Sequence, residues 1–305
     1  MHSVQIEGIT KRFGETVAVS DLSLQVPTGS VYGFIGPNGS GKTTTLRMIM
    51  RILHPDQGRI RVLGEDVTDE GAASDQIGYL PEERGLYRKM VVNELLQFYA
   101  ELKGLRRCQD EIDRWLERFD LVDYGKKKVE TLSKGMSQKV QFIATVLHKP
   151  RLVILDEPFS GLDPVNMEVL RDAVLDMKRD GATVIFSTHD MDVAEKMCDY
   201  VFMIFKGQKV LDGTMESIQG QYGADTIRVR AKDNGDIFNR LKGIDKINDY
   251  GQYRELRLTN GTDSQTILKE LAAEARVELF EIARPSLHDI FVRIAGPQAQ
   301  EANHA

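Results

Sequence analysis

Residues 36–43 read GPNGSGKT; the apolar run SVYGFIG (30–36) leads into them and TTTLRMIMRIL (43–53), with helical spacing, leads out. The octet fits G-x-x-x-x-G-K-[ST] in the setting that pattern requires, between a short strand and a helix. Glycines 36, 39 and 41 let the backbone wrap closely around phosphates, with its N–H groups and the helix start facing the anion. Lys42 is placed to reach the β- and γ-phosphates, Thr43 to offer its hydroxyl to Mg²⁺, and Thr44 to donate to a further phosphate oxygen. Asn38 and Ser40 complete the nucleotide-binding loop. The plain alternative is a Gly-rich strand–helix turn with a capping threonine. Sequence and context agree on the nucleotide site.

Working outward, TVIFSTH (183–189) and RLVILDEP (151–158) read as buried, parallel-type strands, with the helix EVLRDAVLDMKRD (168–180) between them. VQIEGITKRF (4–13) and DLSLQV (21–26) alternate apolar with polar, the half-buried strand pattern, and RIRVLGEDV (59–67) reads as another strand. VVNELLQFYAEL, CQDEIDRWLERFDL and MSQKVQFIATVL carry i, i+3, i+4 apolar positions, which makes about 86–150 a helical subdomain. An α/β core with a helical insertion follows. The polar, Gly-containing joint GQYGADT (220–226) divides a domain of 1–220 from a second of 221–296. There the order strand, helix, strand, strand, helix, strand predicts a small α+β, ferredoxin-like fold. Ser286 and Asp289 have capping-box spacing before a last helix, and 297–305 is expected to fray as a flexible tail.

Length and composition set the bounds. A chain of 305 residues, 41% hydrophobic and 28% charged, is ordinary globular material. With a formal net charge of -6, nothing global suggests nucleic-acid binding, which usually needs a basic face. Cys108 and Cys198 are too few and too far apart for a disulfide framework and fit a reducing compartment. MHSVQIEGITKRFG has no apolar signal region, and runs such as VFMIF (201–205) fall short of the roughly 20 residues that a spanning helix needs.

In LVILDEP (152–158), four apolar residues deliver two acids to a strand end: Asp156 to hold Mg²⁺, Glu157 to orient or deprotonate an attacking water. ETLSKGMSQKVQ (130–141) offers a second anion cradle, a serine hydroxyl and backbone N–H groups at a helix start. One nucleotide is already cradled at 36–44, so this cradle is expected to serve a nucleotide held by another copy. An ordinary capped helix start is its plain reading.

The order GPNGSGKTT, LSKGMSQ, LVILDEP, SGLD (160–163) and strand-terminal His189 resembles the ATP-binding subunits of ABC transporters, over roughly residues 4–220. The resemblance implies a P-loop NTPase fold and hydrolysis of ATP with Mg²⁺. It makes Ser133 and Gly135 signature residues, Asp163 the acid joining two protomers, His189 the γ-phosphate switch and Phe13 the aromatic that stacks on adenine. It also implies dimerisation, with a second copy or a related subunit, and a separate integral membrane permease docking at 82–110. The chain would then be cytoplasmic, held at the inner face of the membrane by that permease, with no nucleic-acid partner.

Two positions depart from the family. Lys134, Gly135 and Met136 stand where Gly-Gly-Gln is usual, and Glu82 in YLPEERGLY (79–87) stands where the family has a glutamine that binds Mg²⁺. Glu82 is taken as a metal-linked coupling residue, its charge offset by Mg²⁺ or Arg84. The ending RPSLHDIFVRI (284–294) resembles a subgroup of bacterial exporter ATPases. Soluble ABC ATPases, such as ribosome-associated ones, are the competing class; they usually carry two cassettes in one chain, and this chain has one.

Overall fold

The structure, a computed structural model, describes residues 1–67, 74–83, 85–222, 226–232, 237–259 and 261–302. Polar–apolar alternation at the start builds an antiparallel pair, β1 (His2–Phe13) and β2 (Thr16–Pro27). Val4, Ile6 and Ile9 of β1, with Leu22, Leu24 and Val26 of β2, are buried, the pattern of a sheet covered on one side. Every residue of β3 (Val31–Ile35) is buried, and the Gly-rich loop after it leads straight into α1 (Lys42–Ile49). The stretch 59–67, expected as one strand, is a hairpin of β4 (Gln57–Val62) and β5 (Glu65–Asp66). Leu63 (φ 52°) and Gly64 (φ 92°) form its two-residue turn, and paired positive φ values give the twist that such a turn needs. The first sheet runs β2-β1-β4-β5.

After β6 (Ile77–Leu80) come the three main helices of the expected helical region: α2 (Val92–Leu102), α3 (Gln109–Arg118) and α4 (Lys134–Val146). α2 buries Val92, Leu95, Leu96 and Ala100, one stripe at i, i+3, i+4, i+8. The rings of Trp115 and Phe119 meet Phe142 at 6.0 and 5.7 Å, joining the α3 region to α4.

β7 (Leu152–Asp156), α5 (Pro164–Arg179), β8 (Thr183–Thr188), α6 (Met191–Met197), β9 (Tyr200–Phe205) and β10 (Gln208–Thr214) complete the first unit. The second sheet has the order β10-β9-β3-β8-β7-β6. It is parallel from β9 to β6, and β10 is antiparallel. One core joins this sheet to the first through Phe34, Phe202 and Leu22; the other packs its far face on the helices through Val153, Phe186 and Phe142. Because β3, β8 and β7 are neighbours, the loops leaving their carboxyl ends converge, where open α/β sheets bind ligands.

The chain divides into two compact units, Met1–Thr214 and Met215–Ala305. The joint expected near residue 220 falls inside the second, in α7 (Met215–Gln221). That unit then runs β11 (Thr226–Lys232), α8 (Ile237–Arg240), β12 (Ile244–Asp249), β13 (Arg254–Leu258), α9 (Ser264–Glu274), β14 (Arg276–Ala283) and α10 (Leu287–Ala302). Its antiparallel sheet, β12-β13-β11-β14, has the ferredoxin-like order that the sequence predicts. Ile227, Val229, Leu256 and Leu271 make its core. Asp289 N–H donates to Ser286 Oγ and Ser286 N–H to Asp289 Oδ2, both at 3.1 Å, so the expected capping box opens α10. The helix continues past residue 297, where the tail is expected to begin. Among the described residues no helix is long and apolar enough to cross a membrane.

Candidate active site

Gly36 and Gly41 of the 36–43 loop answer to close contact. A Cβ on Gly36 would stand 2.2 Å from Ile204 O, and one on Gly41 (φ 110°) would stand 2.6 Å from Ala18 O. The loop is drawn so tightly onto β9 and β2 that no side chain fits. Lys42, the first residue of α1, is 5% exposed. Its Nζ donates to Gly36 O at 2.7 Å and Pro37 O at 3.2 Å and lies 3.8 Å from Glu157 Oε1. Burial pulls its ammonium below the usual range, against the opposing pull of Glu157, Asp156 and Glu82.

β7 delivers the two acids. Asp156, 2% exposed, accepts at Oδ1 from Ser187 Oγ (2.5 Å) and Thr43 Oγ1 (3.3 Å). Its Oδ2 is buried with no hydrogen-bond partner among the described residues. Glu157 adopts φ 50°, a left-handed conformation that a non-glycine residue holds only where its surroundings enforce it, often at functional sites. Its N–H donates to Ser187 Oγ at 3.0 Å, and His189 Nδ1 lies 3.1 Å from both carboxylate oxygens. An ionised Glu157 only accepts, so with that carboxyl ionised Nδ1 is the donor of the contact. Burial raises the Glu157 carboxyl above the ordinary range, while His189 and Lys42 act in the opposite sense.

Asn38, Gly39, Gly41, Lys42, Thr43 and Thr44 line a cleft of about 340 Å³ with Glu82 and Glu157. A second cleft of about 370 Å³ shares Glu82 and Glu157 and adds Asp156, Lys134, Gln138 and Ser160. The unpartnered Asp156 Oδ2, the Thr43 hydroxyl and the Glu82 carboxylate are hard oxygen donors, a set that fits Mg²⁺. Ser40 Oγ is likewise buried without a partner among the described residues.

The structure thus brings together Gly36, Asn38, Gly39, Ser40, Gly41, Lys42, Thr43, Thr44, Glu82, Asp156, Glu157 and His189. Other predicted residues stand elsewhere in the chain and have local roles. Phe13, 50% exposed at the end of β1, has the Lys11 ammonium 5.7 Å from its ring centroid. Ser133 caps α4, accepting from Met136 N–H at 3.2 Å, and Gly135 lies in that helix's first turn. Asp163 caps α5, accepting from the backbone N–H (3.0 Å) and side-chain amide of Asn166, which hold its carboxyl below the usual range. Met136, where the family has glutamine, packs partly buried against the helical core. Arg84 lies outside the described residues. Sequence reasoning missed Ser187, which holds both acids; its signal was its place two residues before His189 on the strand that pairs with β7.

A further groove of about 500 Å³ lies among β6, α2 and α4, lined by Tyr79, Leu86, Tyr99, Leu102, Lys103 and His148. Leu102 and Tyr87 are exposed large apolar residues, and the Tyr87 ring lies 6.4 Å from that of Tyr99.

A parallel sheet with a phosphate-binding loop at one strand end and an acid pair at the next but one defines a P-loop nucleotide-binding protein. Residues 19–160 match the ABC transporter family, and 213–295 match the C-terminal domain of the DrrA1-3-like ATP-binding proteins. The chain is 43% identical to the ABC transporter ATP-binding protein YhaQ of Bacillus subtilis, over 95% of this chain and 98% of that protein. It is 32% identical to the daunorubicin resistance ATP-binding protein DrrA3 of Streptomyces coeruleorubidus, over 96% of each. It is 29% identical to the Nod factor export ATP-binding protein I of Burkholderia lata, over 98% of each. Among solved structures, an ATP-binding subunit of an ABC transporter superposes with a TM-score of 0.67 at 30% identity, over 72% of this chain and 93% of that one. The chain belongs to the ATP-binding subunits of ABC transporters, and it carries a DrrA-like C-terminal domain.

Proposed function

We propose that this subunit hydrolyses ATP to drive export through a separate membrane permease. The carrying observation is the Glu157 carboxylate, held between Lys42 and His189 in the cleft of the phosphate loop. ATP lies with its phosphates along Gly36–Thr44 and its adenine against Phe13. Lys42 leaves the Gly36 and Pro37 carbonyls for the β- and γ-phosphates. Thr43, Asp156 and Glu82 hold Mg²⁺, which neutralises phosphate charge. Glu157 takes the proton of the attacking water, a role worth roughly 10²–10⁴-fold in rate, and His189 orients the carboxylate and senses the γ-phosphate.

Two copies, or this chain and a related one, face head to tail. Ser133 and Gly135 of each then reach the nucleotide on the other, with Asp163 across the joint. Hydrolysis reopens the pair, and residues 82–110, with the groove among β6, α2 and α4, pass the motion to the permease. Such a subunit is cytoplasmic and peripheral on the inner face of the membrane. Export is supported by the names of the relatives, among them daunorubicin and linearmycin resistance proteins and a Nod factor exporter. For the second unit we propose support of dimerisation or its regulation. Truncation after Thr214 should change ATPase activity or dimerisation; no change in either counts against it. The test of the whole reading is purification from detergent-solubilised membranes. A multispanning protein should accompany the chain, and ribosomes in its place would overturn the transport reading.

A further inference from the structure

Gln138 lies early in α4, 8% exposed. Its Nε2 donates to the Pro158 carbonyl at 2.5 Å, a buried bond between groups twenty positions apart. Pro158 follows Glu157 directly and, as a proline, has no N–H, so its carbonyl is the one backbone group by which it can be held. The left-handed Glu157 is thereby fixed on both sides. Ser187 of β8 accepts its N–H, and Gln138 of α4 grips the next carbonyl.

The same amide has a second, unspent end. Gln138 Oε1 is buried with no partner among the described residues, in the cleft lined by Asp156 and Glu157. An unpaired buried acceptor lowers stability, and an apolar side chain of equal length would avoid it. The amide is accounted for by the bond to Pro158, which a hydrocarbon cannot make. α4 is also the helix that Ser133 caps and whose first turn carries Gly135.

We propose that Gln138 is a positioning residue for hydrolysis. It ties α4 to the backbone that carries Glu157, so that the base is aligned when α4 is seated and released when α4 shifts. Contact of a nucleotide on the partner subunit with the start of α4 is then felt at Glu157 through one hydrogen bond. The inference rests on Glu157 being the base.

Gln138→Met keeps the length of the side chain and removes the donor. Its kcat should fall about 10- to 100-fold, the scale of a small misplacement of a reacting group. KM and the directly measured affinity for ATP should stay within about twofold, because the phosphate loop is untouched. Added to Glu157→Gln, the substitution should cause no further fall, since both act through one group. Should Gln138→Met not fold, Gln138→Leu carries the same expectations: it too has no donor for Pro158. If Glu157→Gln alone leaves turnover unchanged, the base assignment fails and this inference with it. If Glu157→Gln is slow while the Gln138 variant turns over at the parent rate, or loses ATP affinity in step with turnover, only the role of Gln138 is overturned.

Discussion

The Ser187 hydroxyl donates to Asp156 Oδ1 at 2.5 Å and accepts the Glu157 backbone N–H at 3.0 Å, so one side chain fixes both acids of the site. Ser187→Ala leaves that buried N–H unpaired, a loss of about 1–3 kcal/mol. At about 2–4 °C per kcal/mol for a unit of this size, the melting temperature should drop measurably. Turnover should fall further than affinity for ATP, since the phosphate loop keeps its own contacts. A variant with parent stability and parent kcat would remove Ser187 from the site.

Ser133 caps α4 in the single chain and is proposed to meet a phosphate in the pair, and two substitutions separate these roles. Aspartate is as good an N-cap as serine, whereas alanine loses about 1 kcal/mol. Ser133→Asp should therefore keep the melting temperature yet place a carboxylate against phosphate, abolishing ATP-dependent dimerisation by light scattering. Dimerisation of Ser133→Asp at the parent ATP concentration would leave Ser133 a cap alone.

Glu82 lines both clefts of the site. A glutamine keeps an oxygen for Mg²⁺ and an alanine does not. Glu82→Gln should hold the Mg²⁺ requirement of the ATPase within a few-fold, while Glu82→Ala should raise it by about tenfold or more, on the scale of a lost metal contact. Parent behaviour in both would make Glu82 an ordinary turn residue.

His148 lines the groove among β6, α2 and α4, and its Nε2 is buried without a partner among the described residues. Burial holds its imidazole below the usual range, and Lys103 adds to the effect, against Asp75 and a backbone contact at Ile77. As pH falls through the ordinary imidazole value of about 6.5, the unfolded chain takes up the proton first. Stability is thus intact above that value and declines below it. His148→Gln should flatten the dependence of melting temperature on pH between about 7.5 and 5.5; an unchanged slope would contradict this.

The site was legible where its chemistry is local. The phosphate loop lies within eight consecutive residues and the acids are adjacent, so strand and helix signals around them were enough. The ferredoxin-like order was legible because each element there carries its own period. Ser187 and Gln138 were not, because their roles come from tertiary pairing: Asp156 stands beside Ser187 only when β7 and β8 align in parallel, and Gln138 meets Pro158 only when α4 packs on the sheet. The β4–β5 turn escaped because Leu63 takes a positive φ, which a leucine side chain does not advertise. Ser133 reads correctly as a helix start, whereas the capping role of Asp163 shows only once α5 is seen to begin after it, and any task across a dimer lies beyond a single chain.

Glu157→Gln is the most direct test of the account. The amide keeps the shape and the contact with the His189 side of the cleft but cannot accept a proton from water. With Mg²⁺ and ATP, this variant should bind nucleotide at parent affinity, hydrolyse it at least about 100-fold more slowly and accumulate as an ATP-bound dimer in gel filtration. Hydrolysis at the parent rate would contradict the assignment of Glu157 as the base.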